Sequence, residues 1–479
     1  MDLSQHQQQY NNQTIKHVST EGVRGMDEDE FDVPSSPTDD ISSVIKPEHR
    51  MAVKEGKYRR ENRRLRNTLS FRIGTLITNS FKRPWMILVL PFLLVVLGWR
   101  YVNERLGWRS LPYPDYPLDG SGNEGAFRDC IVLFPTNGVG FGHFTRMYAL
   151  AKRLKLQSPN TEIVFFTTMP TLQILYNEGF STYHLAGRKK HREMTASEWN
   201  AMLEENLSMV FNQHKPKMFI FDGAFPYRGM LNAIRSRNRI KKVWVRRGMF
   251  RKGSNIPVDS IEHFTSIVRP GDGVDVDEHL KVEIPVQSYT VGPMLLMDHD
   301  EVLTREMARG RLNLPDGSKI VYVQLGAGRI NDIDSEIRLT VDALLKHENV
   351  HVVIGESMLG ERIFFQHPRI QLLRDYPNSM YFRAFDASIQ AGGYNSFHEM
   401  RTFGLPTLFY PNMNTGMDDQ LARCNIAQTE GWGLVLKERT EANIARSVEA
   451  LLSLEVSHER PKLTNGADEL ATLLLEKIR

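Results

Sequence analysis

The chain has 479 residues, 41% hydrophobic and 24% charged, with a formal net charge of +3. One hydrophobic core stops growing near ~250 to 300 residues, so this length predicts two domains plus extra segments. The balanced charge excludes a dedicated nucleic-acid binder, and two cysteines, Cys130 and Cys424, exclude a disulfide scaffold and a Cys-x-x-Cys metal site.

Residues 1–45 are rich in Gln, Asn, Ser and Asp, with the acidic run Asp27 to Glu30 and no apolar periodicity. Such a segment buries too little surface to offset chain entropy and is expected to be disordered. From Lys46 to Arg83 the sign reverses, with twelve Lys or Arg against three Glu. Residues 1–83 therefore read as a disordered tail ending in a basic juxtamembrane belt, worth about 1 kcal/mol per cation near anionic lipid.

Pro84 to Trp99 is a run of sixteen residues without a charge, bounded by Arg83 and Arg100. At about 1.5 Å per residue it reaches roughly 24 Å, against a hydrocarbon core of ~30 Å. The segment 84–102 is thus expected to be one hydrophobic membrane helix, either spanning or dipping with a kink at Pro91. If it spans, the basic excess on its N-terminal side places the body of the chain on the far face. Asn67 to Ile77 with the following prolines resembles a segment of bacterial envelope-polysaccharide enzymes that work on the cytoplasmic face. That resemblance favours the cytoplasmic face of a bacterial membrane; a type II, lumenal arrangement is the alternative.

After a linker, 103–126, strand-like and helix-like stretches alternate, which predicts parallel sheets with crossover helices. Cys130 to Phe134, Glu162 to Phe166, Met218 to Phe221 and Lys242 to Val245 are the strands of a first domain, 127–297. Met147, Leu150, Ala151 and Leu154 mark one face of the helix after His143. The rhythm breaks near Gly292-Pro293. A second domain, 298–479, takes strands at Lys319 to Gln324, Val350 to Ile354, Ala387 to Gln390 and Thr407 to Tyr410, then a helix near 466–478.

Two glycine-rich loops lie between a strand and a helix: Thr136 to His143, containing Asn137, Gly138, Gly140 and Gly142, and Ala391 to Glu399, containing Gly392 and Gly393. Glycine lets backbone amides approach a ligand closely, and a helix N-terminus favours phosphate. Asn395 and Ser396 are positioned to cap the second helix, and Glu399, one turn on, shares their face and can accept from ribose hydroxyls. His143 is the catalytic candidate, because imidazole with an ordinary pKa near ~6.5 can take a proton from an acceptor hydroxyl. Asp222, ending the strand Met218 to Phe221, can orient or replace it. Arg228, Arg246 and Arg247 can meet an acceptor phosphate or remain solvated.

Other signals are weaker. Asp332-Ile-Asp334 has metal-binding spacing but sits at a helix start, where acids are favoured anyway. Asp272, Asp275 and Asp277 read as a surface turn. Neither glycine loop contains the Gly-Lys-Ser/Thr of a nucleotide-hydrolysing loop.

Asp386, Gly392-Gly393, His398-Glu399, Gly404-Leu405-Pro406 and Asp419-Gln420 together resemble the C-terminal signature of GT-B glycosyltransferases of family 28, the group that includes the enzyme adding GlcNAc to lipid I. The glycine turn ending in Gly142-His143 is similar to that family's acceptor-side loop, with Val139 and Phe141 as added bulk. The resemblance implies an α/β, GT-B fold, two Rossmann-like parallel-sheet domains facing across a cleft. It implies Glu399 on the donor ribose, Asp419 and Gln420 near the donor sugar, and Gly326, Ala327, Gly328 and Gly392 to Ser396 around the diphosphate. Asn137, Gly138, Gly140 and Gly142 would line the acceptor side.

The implied activity is metal-independent hexosyl or hexosaminyl transfer from a UDP-sugar to a lipid-linked or cell-envelope glycan, without a cofactor. The nucleotide sugar, the acceptor and the membrane are the expected partners, with room for a protein of a polysaccharide pathway and none for nucleic acid. The alternatives are a nucleotide-sugar hydrolase or epimerase of the same fold, or a non-catalytic subunit anchoring a partner transferase.

Overall fold

A computed structural model describes residues 62, 65–83, 85–106, 108, 127–136, 141–188, 194–235, 237–246, 260–272, 286–326, 333–358, 364–413, 418–456 and 464–478. The first elements are two helices, α1 (Leu69–Lys82) and α2 (Trp85–Arg105), which pack on each other. The stretch 69–82, expected within a disordered tail, is thus helical. Thr68 caps it, its hydroxyl accepting from Phe71 N, and apolar Phe71, Ile73, Leu76, Ile77 and Phe81 supply its pattern. α2 is long and apolar enough to cross a membrane and carries Pro91 inside.

The first domain is built on β1 (Arg128–Pro135), β2 (Glu162–Thr167), β3 (Ser181–His184), β4 (Pro216–Asp222), β5 (Lys241–Val245), β6 (Ser266–Pro270) and β7 (Gln287–Val291). They form one parallel sheet in the order β3-β2-β1-β4-β5-β6-β7. Its helices are α3 (Gly142–Gln157), α4 (Gln173–Asn177), α5 (Ala196–His214) and α6 (Arg228–Arg235). Successive β1 side chains enter opposite cores: Ile131 and Leu133 join α3 on one face, Val132 and Phe134 join α5 and α6 on the other. A strand covered on both faces reads as a continuous apolar run, which is why Cys130 to Phe134 is legible. β3 and β7 are short and mostly exposed or half-buried at the sheet edges, so they lack that signal.

After α7 (Arg305–Arg311), the second sheet comprises β8 (Lys319–Gln324), β9 (Val350–Gly355), β10 (Ile370–Leu373), β11 (Ala387–Ala391), β12 (Thr407–Tyr410) and β13 (Gly433–Val435). It is also parallel, in the order β10-β9-β8-β11-β12-β13. α8 (Ile333–Leu345), α9 (Tyr394–Phe403), α10 (Gln420–Thr429) and α11 (Glu441–Leu452) follow their strands. The last helix, α12 (Gly466–Ile478), returns to the first domain, where Ala467, Leu470, Ala471 and Leu474 share a core with Met147, Leu150 and Leu154 of α3. By packing, the second domain expected as 298–479 therefore ends before α12.

The two chain crossings between domains touch. Gly466 N donates to Pro293 O at 2.8 Å, and Asn465 bonds both Leu295 N and Leu295 O. A Cβ on Gly466 would lie 1.8 Å from Gly292 O, so only glycine fits this crossing. Both sheets change their direction of strand addition beside their first strand, between β1 and β4 and between β8 and β11. Loops leaving the carboxyl ends there part company, which is where open α/β sheets hold ligands.

Candidate active site

Asp222 ends β4, and His143 lies in the first turn of α3, which follows β1; the two strands are neighbours at the first switch point. The Asp222 main chain is held by Thr136, whose N donates to Asp222 O at 2.9 Å. A Cβ on the next residue, Gly223, would meet Phe221 at 2.5 Å and Thr136 at 2.7 Å. The Thr136 main chain and the packing around Gly223 together fix the strand end.

His143 Nδ1 is 2.7 Å from Asp222 Oδ1, and Arg146, three residues along the same helix, donates to both carboxylate oxygens at 2.7 and 3.0 Å. Arg146 also lies 2.8 Å from His143 Nδ1. The carboxylate can only accept and favours a proton on Nδ1, whereas the guanidinium can only donate and favours a bare Nδ1. In the tautomer that Asp222 selects, Nε2 is the basic nitrogen. The Asp222 side chain is 1% exposed and that of His143 18%, so the carboxylate stands behind the ring. Burial pushes Asp222 up, but Arg146 and His143 outweigh it and hold the carboxyl below its usual range.

The second switch point is brought against this dyad by Tyr394, the first residue of α9. Its hydroxyl donates to Gly271 O at 2.9 Å and accepts from Met294 N at 3.2 Å. The Arg146 guanidinium sits 5.3 Å from the Tyr394 ring and that of Arg423, from α10, 5.9 Å. Arg423 is fully buried and bonds Asp272 of the first domain at 2.7 and 3.1 Å, together with Asp418 at 2.7 Å and Gly392 O at 2.9 Å in the second. Asp272, expected in a surface turn, is thus a buried interdomain partner. Tyr376 completes the junction: its hydroxyl lies 2.9 Å from Thr145 Oγ1 of α3, and its ring packs on Phe141 and Phe144.

Glu399 is one turn into α9, and its charge acts on both Tyr376 and Tyr322. Burial of its carboxyl pushes it up to about 8. Gly393 begins α9 with no side-chain cap and with open space where a Cβ would stand. Asn395 and Ser396, expected as caps, instead lie within the first turn, whose leading N–H groups have no partner inside the helix. Gly392 is close-packed, since a Cβ would meet Cys424 Sγ at 2.5 Å. Gly326, just beyond β8, has φ +100°, a conformation that favours glycine.

Two parallel sheets facing each other at their switch points decide the architecture. The chain has the GT-B fold. It is similar to the glycotransferase of kitacinnamycin, with a TM-score of 0.50 and 13% identity over 73% of this chain and 99% of that one. It is similar to CalG4, the calicheamicin glycosyltransferase, with a TM-score of 0.50 and 15% identity over 74% and 98%. MurG of Acinetobacter baumannii gives 0.46 and 15% over 72% and 99%. No protein-family model matches the sequence, and no curated protein does.

On this GT-B frame the remaining sequence expectations divide. Asn137, Gly138, Gly140, Ala327, Gly328, Arg247, Asp332, Asp275 and Asp277 lie outside the described residues. Gly142 opens α3 with only Arg146 near its Cβ position, at 3.9 Å. Asp419 caps α10 through Ala422 N, and Gln420 Oε1 accepts from Asn412 N, just after β12. Asp386 sits at the opposite end of β11 from α9 and receives Arg305, Arg309 and Ile320 N, a structural role. Gly404 ends α9 at φ +72°, which explains Gly-Leu-Pro as a helix stop. Arg246 is buried with its guanidinium 4.8 Å from the Trp244 ring, whereas Arg228 is exposed.

Sequence reasoning missed Arg146, Tyr376 and Arg423, and took Tyr394 only as part of the loop Gly392 to Ser396. Arg146 had a signal, because three positions from His143 on a helix means one shared face. His398 was read only as part of the signature; it is buried, packed on Tyr394 and Phe397, with Nε2 3.8 Å from Asp272. Among the described residues, Cys130, Glu162 and His214 also cluster, at the other end of the first sheet. There His214 is bonded by Glu162 and Tyr183, and burial pushes the thiol up, so this is a hydrogen-bonded set.

Proposed function

We propose that the protein transfers a hexosyl or hexosaminyl group from a UDP-sugar to a hydroxyl of a lipid-linked or cell-envelope glycan. The observation carrying this is the His143–Asp222 pair, at 2.7 Å, whose shared Arg146 lies 5.3 Å from the ring of Tyr394 at the amino end of α9. The acceptor oxygen attacks the anomeric carbon while its proton passes to His143 Nε2. The bond from that carbon to the diphosphate breaks, and UDP leaves with the electron pair. Asp222 holds the tautomer and balances the imidazolium that forms.

In this reading the diphosphate rests on the N–H groups of Tyr394 to Ser396, with Gly326 and Gly393 giving it room and Glu399 meeting the ribose. Oriented amides and the helix dipole stabilise the departing charge, so no metal is required. Asp419 and Gln420, at the start of α10, shape the donor-sugar side. The acceptor lies at the bilayer because α2 anchors the enzyme there.

The test uses purified full-length protein with UDP-sugars, with and without a lipid extract. UDP release that depends on the extract supports transfer. Equal release without it identifies a hydrolase, and none under either condition leaves the anchoring-subunit reading. His143→Ala should retain UDP binding by calorimetry and lose turnover, whereas Glu399→Ala should weaken binding. Wild-type turnover in the first variant removes His143 from the mechanism.

A further inference from the structure

α1 and α2 are joined by Arg83 and Pro84 alone, and their far ends are tied together. Arg72 pairs with Glu104 at 2.5 Å, both largely buried, and its guanidinium also lies 5.8 Å from the Tyr101 ring. A chain that runs out along α1 and back along α2 leaves where it entered. The geometry points to a monotopic membrane hairpin, which inserts into one leaflet and keeps the N-terminal tail and both GT-B domains on the same face.

Three features identify lipid as the partner. No residue of either helix belongs to the four buried cores, and Phe71, Phe81, Trp85, Leu88, Phe92 and Val95 are exposed. So much contiguous apolar surface marks an interaction site. The hydroxyls of α1 are satisfied within the helix: Thr75 bonds Phe71 O, Thr78 bonds Gly74 O and Ser80 bonds Leu76 O, at 2.8 to 2.9 Å. Hydrocarbon demands that polar groups be paired internally. Finally, Arg66 before α1 and Arg100 and Arg105 in the last turns of α2 are exposed towards the end where the hairpin opens, complementing anionic headgroups.

Depth follows from length. The 14 residues of α1 rise about 21 Å, short of a ~30 Å hydrocarbon core that the 21 residues of α2 alone could match, so the shorter helix limits the depth of the pair. Lys82 and Arg83 at the turn are exposed and need headgroups or water, so the hairpin lies shallowly with its tip at the interface. This arrangement removes the conflict in the sequence, where one spanning helix would separate the basic tail from the catalytic domains.

The inference rests on the membrane association proposed above and is independent of the transfer chemistry. Ser4→Cys and Ser453→Cys are made singly in the full chain; the native Cys130 and Cys424 are fully buried and give little background. Membranes from expressing cells, prepared right-side-out and inside-out, are treated with an impermeant maleimide. Labelling of both positions in the same vesicle type supports the hairpin. Labelling in opposite types overturns it and establishes a span, leaving membrane association intact. Failure to float with phosphatidylglycerol-containing vesicles overturns both, whatever the UDP-release assay gives.

Discussion

His143 and Asp222 meet at 2.7 Å across the first switch point, and the buried Arg146 binds both oxygens of the same carboxylate. The cation keeps Asp222 ionised, and the ionised carboxylate favours the ring proton on Nδ1. Asp222→Asn should therefore be more damaging than its size suggests. An amide can present its own N–H to Nδ1 and reverse the tautomer, lowering turnover by ~10² to 10⁴. It also leaves Arg146 uncompensated, costing about 3 to 5 kcal/mol of stability. Steady-state kinetics and thermal unfolding of the purified variant check both; unchanged turnover would remove Asp222 from the mechanism.

Glu399 makes the free enzyme sensitive to alkali. Its folded-state value, about 8, is above the unfolded one, so its contribution to stability is full at low pH and lost as pH rises through about 8. Between about pH 4.5 and about pH 8 the wild-type Tm should fall, and Glu399→Gln should flatten that decline. Asp222 has the opposite sign, losing its contribution as pH falls. Parallel Tm curves for wild type and Glu399→Gln would refute the assignment.

Arg423 links the domains through Asp272, Asp418 and Gly392 O. Arg423→Met removes the guanidinium from the buried Asp272 and the half-buried Asp418 and should cost about 3 to 5 kcal/mol. Adding Asp272→Asn should cost less than the sum of the single variants, because the two residues are in contact. Chemical denaturation of the four proteins measures this, and strict additivity would show that the contact is energetically idle.

Gly466→Ala tests the crossing between domains. The added carbon would stand 1.8 Å from Gly292 O, a backbone atom with little freedom to move. Overpacking of this kind costs ~1 to 3 kcal/mol. Because α12 docks on the first domain, limited proteolysis should release the C-terminal helix earlier than in the wild type. Unchanged Tm and cleavage would mean the crossing relaxes freely.

Strands whose two faces are both buried announce themselves as apolar runs, so β1, β4, β8, β11 and β12 could be placed from residues alone, as could the glycine turns that follow. His143, Asp222 and Glu399 were legible because each sits just beyond such a strand or in the helix after it. The edge strands β3 and β7 and the helix α1 inside a basic segment lacked that contrast. The partners of the site residues were hidden for a different reason. Arg146, Tyr376, Tyr394 and Arg423 act across distances in sequence of 76, 231, 123 and 151 residues, respectively with Asp222, Thr145, Gly271 and Asp272. Local pattern determined which elements form and where each sheet opens. Only tertiary structure decided which buried charges meet, through the folding of the first sheet for Arg146 and Asp222 and the docking of one domain on the other for Arg423 and Asp272, because Coulombic and hydrogen-bond partners depend on separation in space, and periodicity along the chain records none of it.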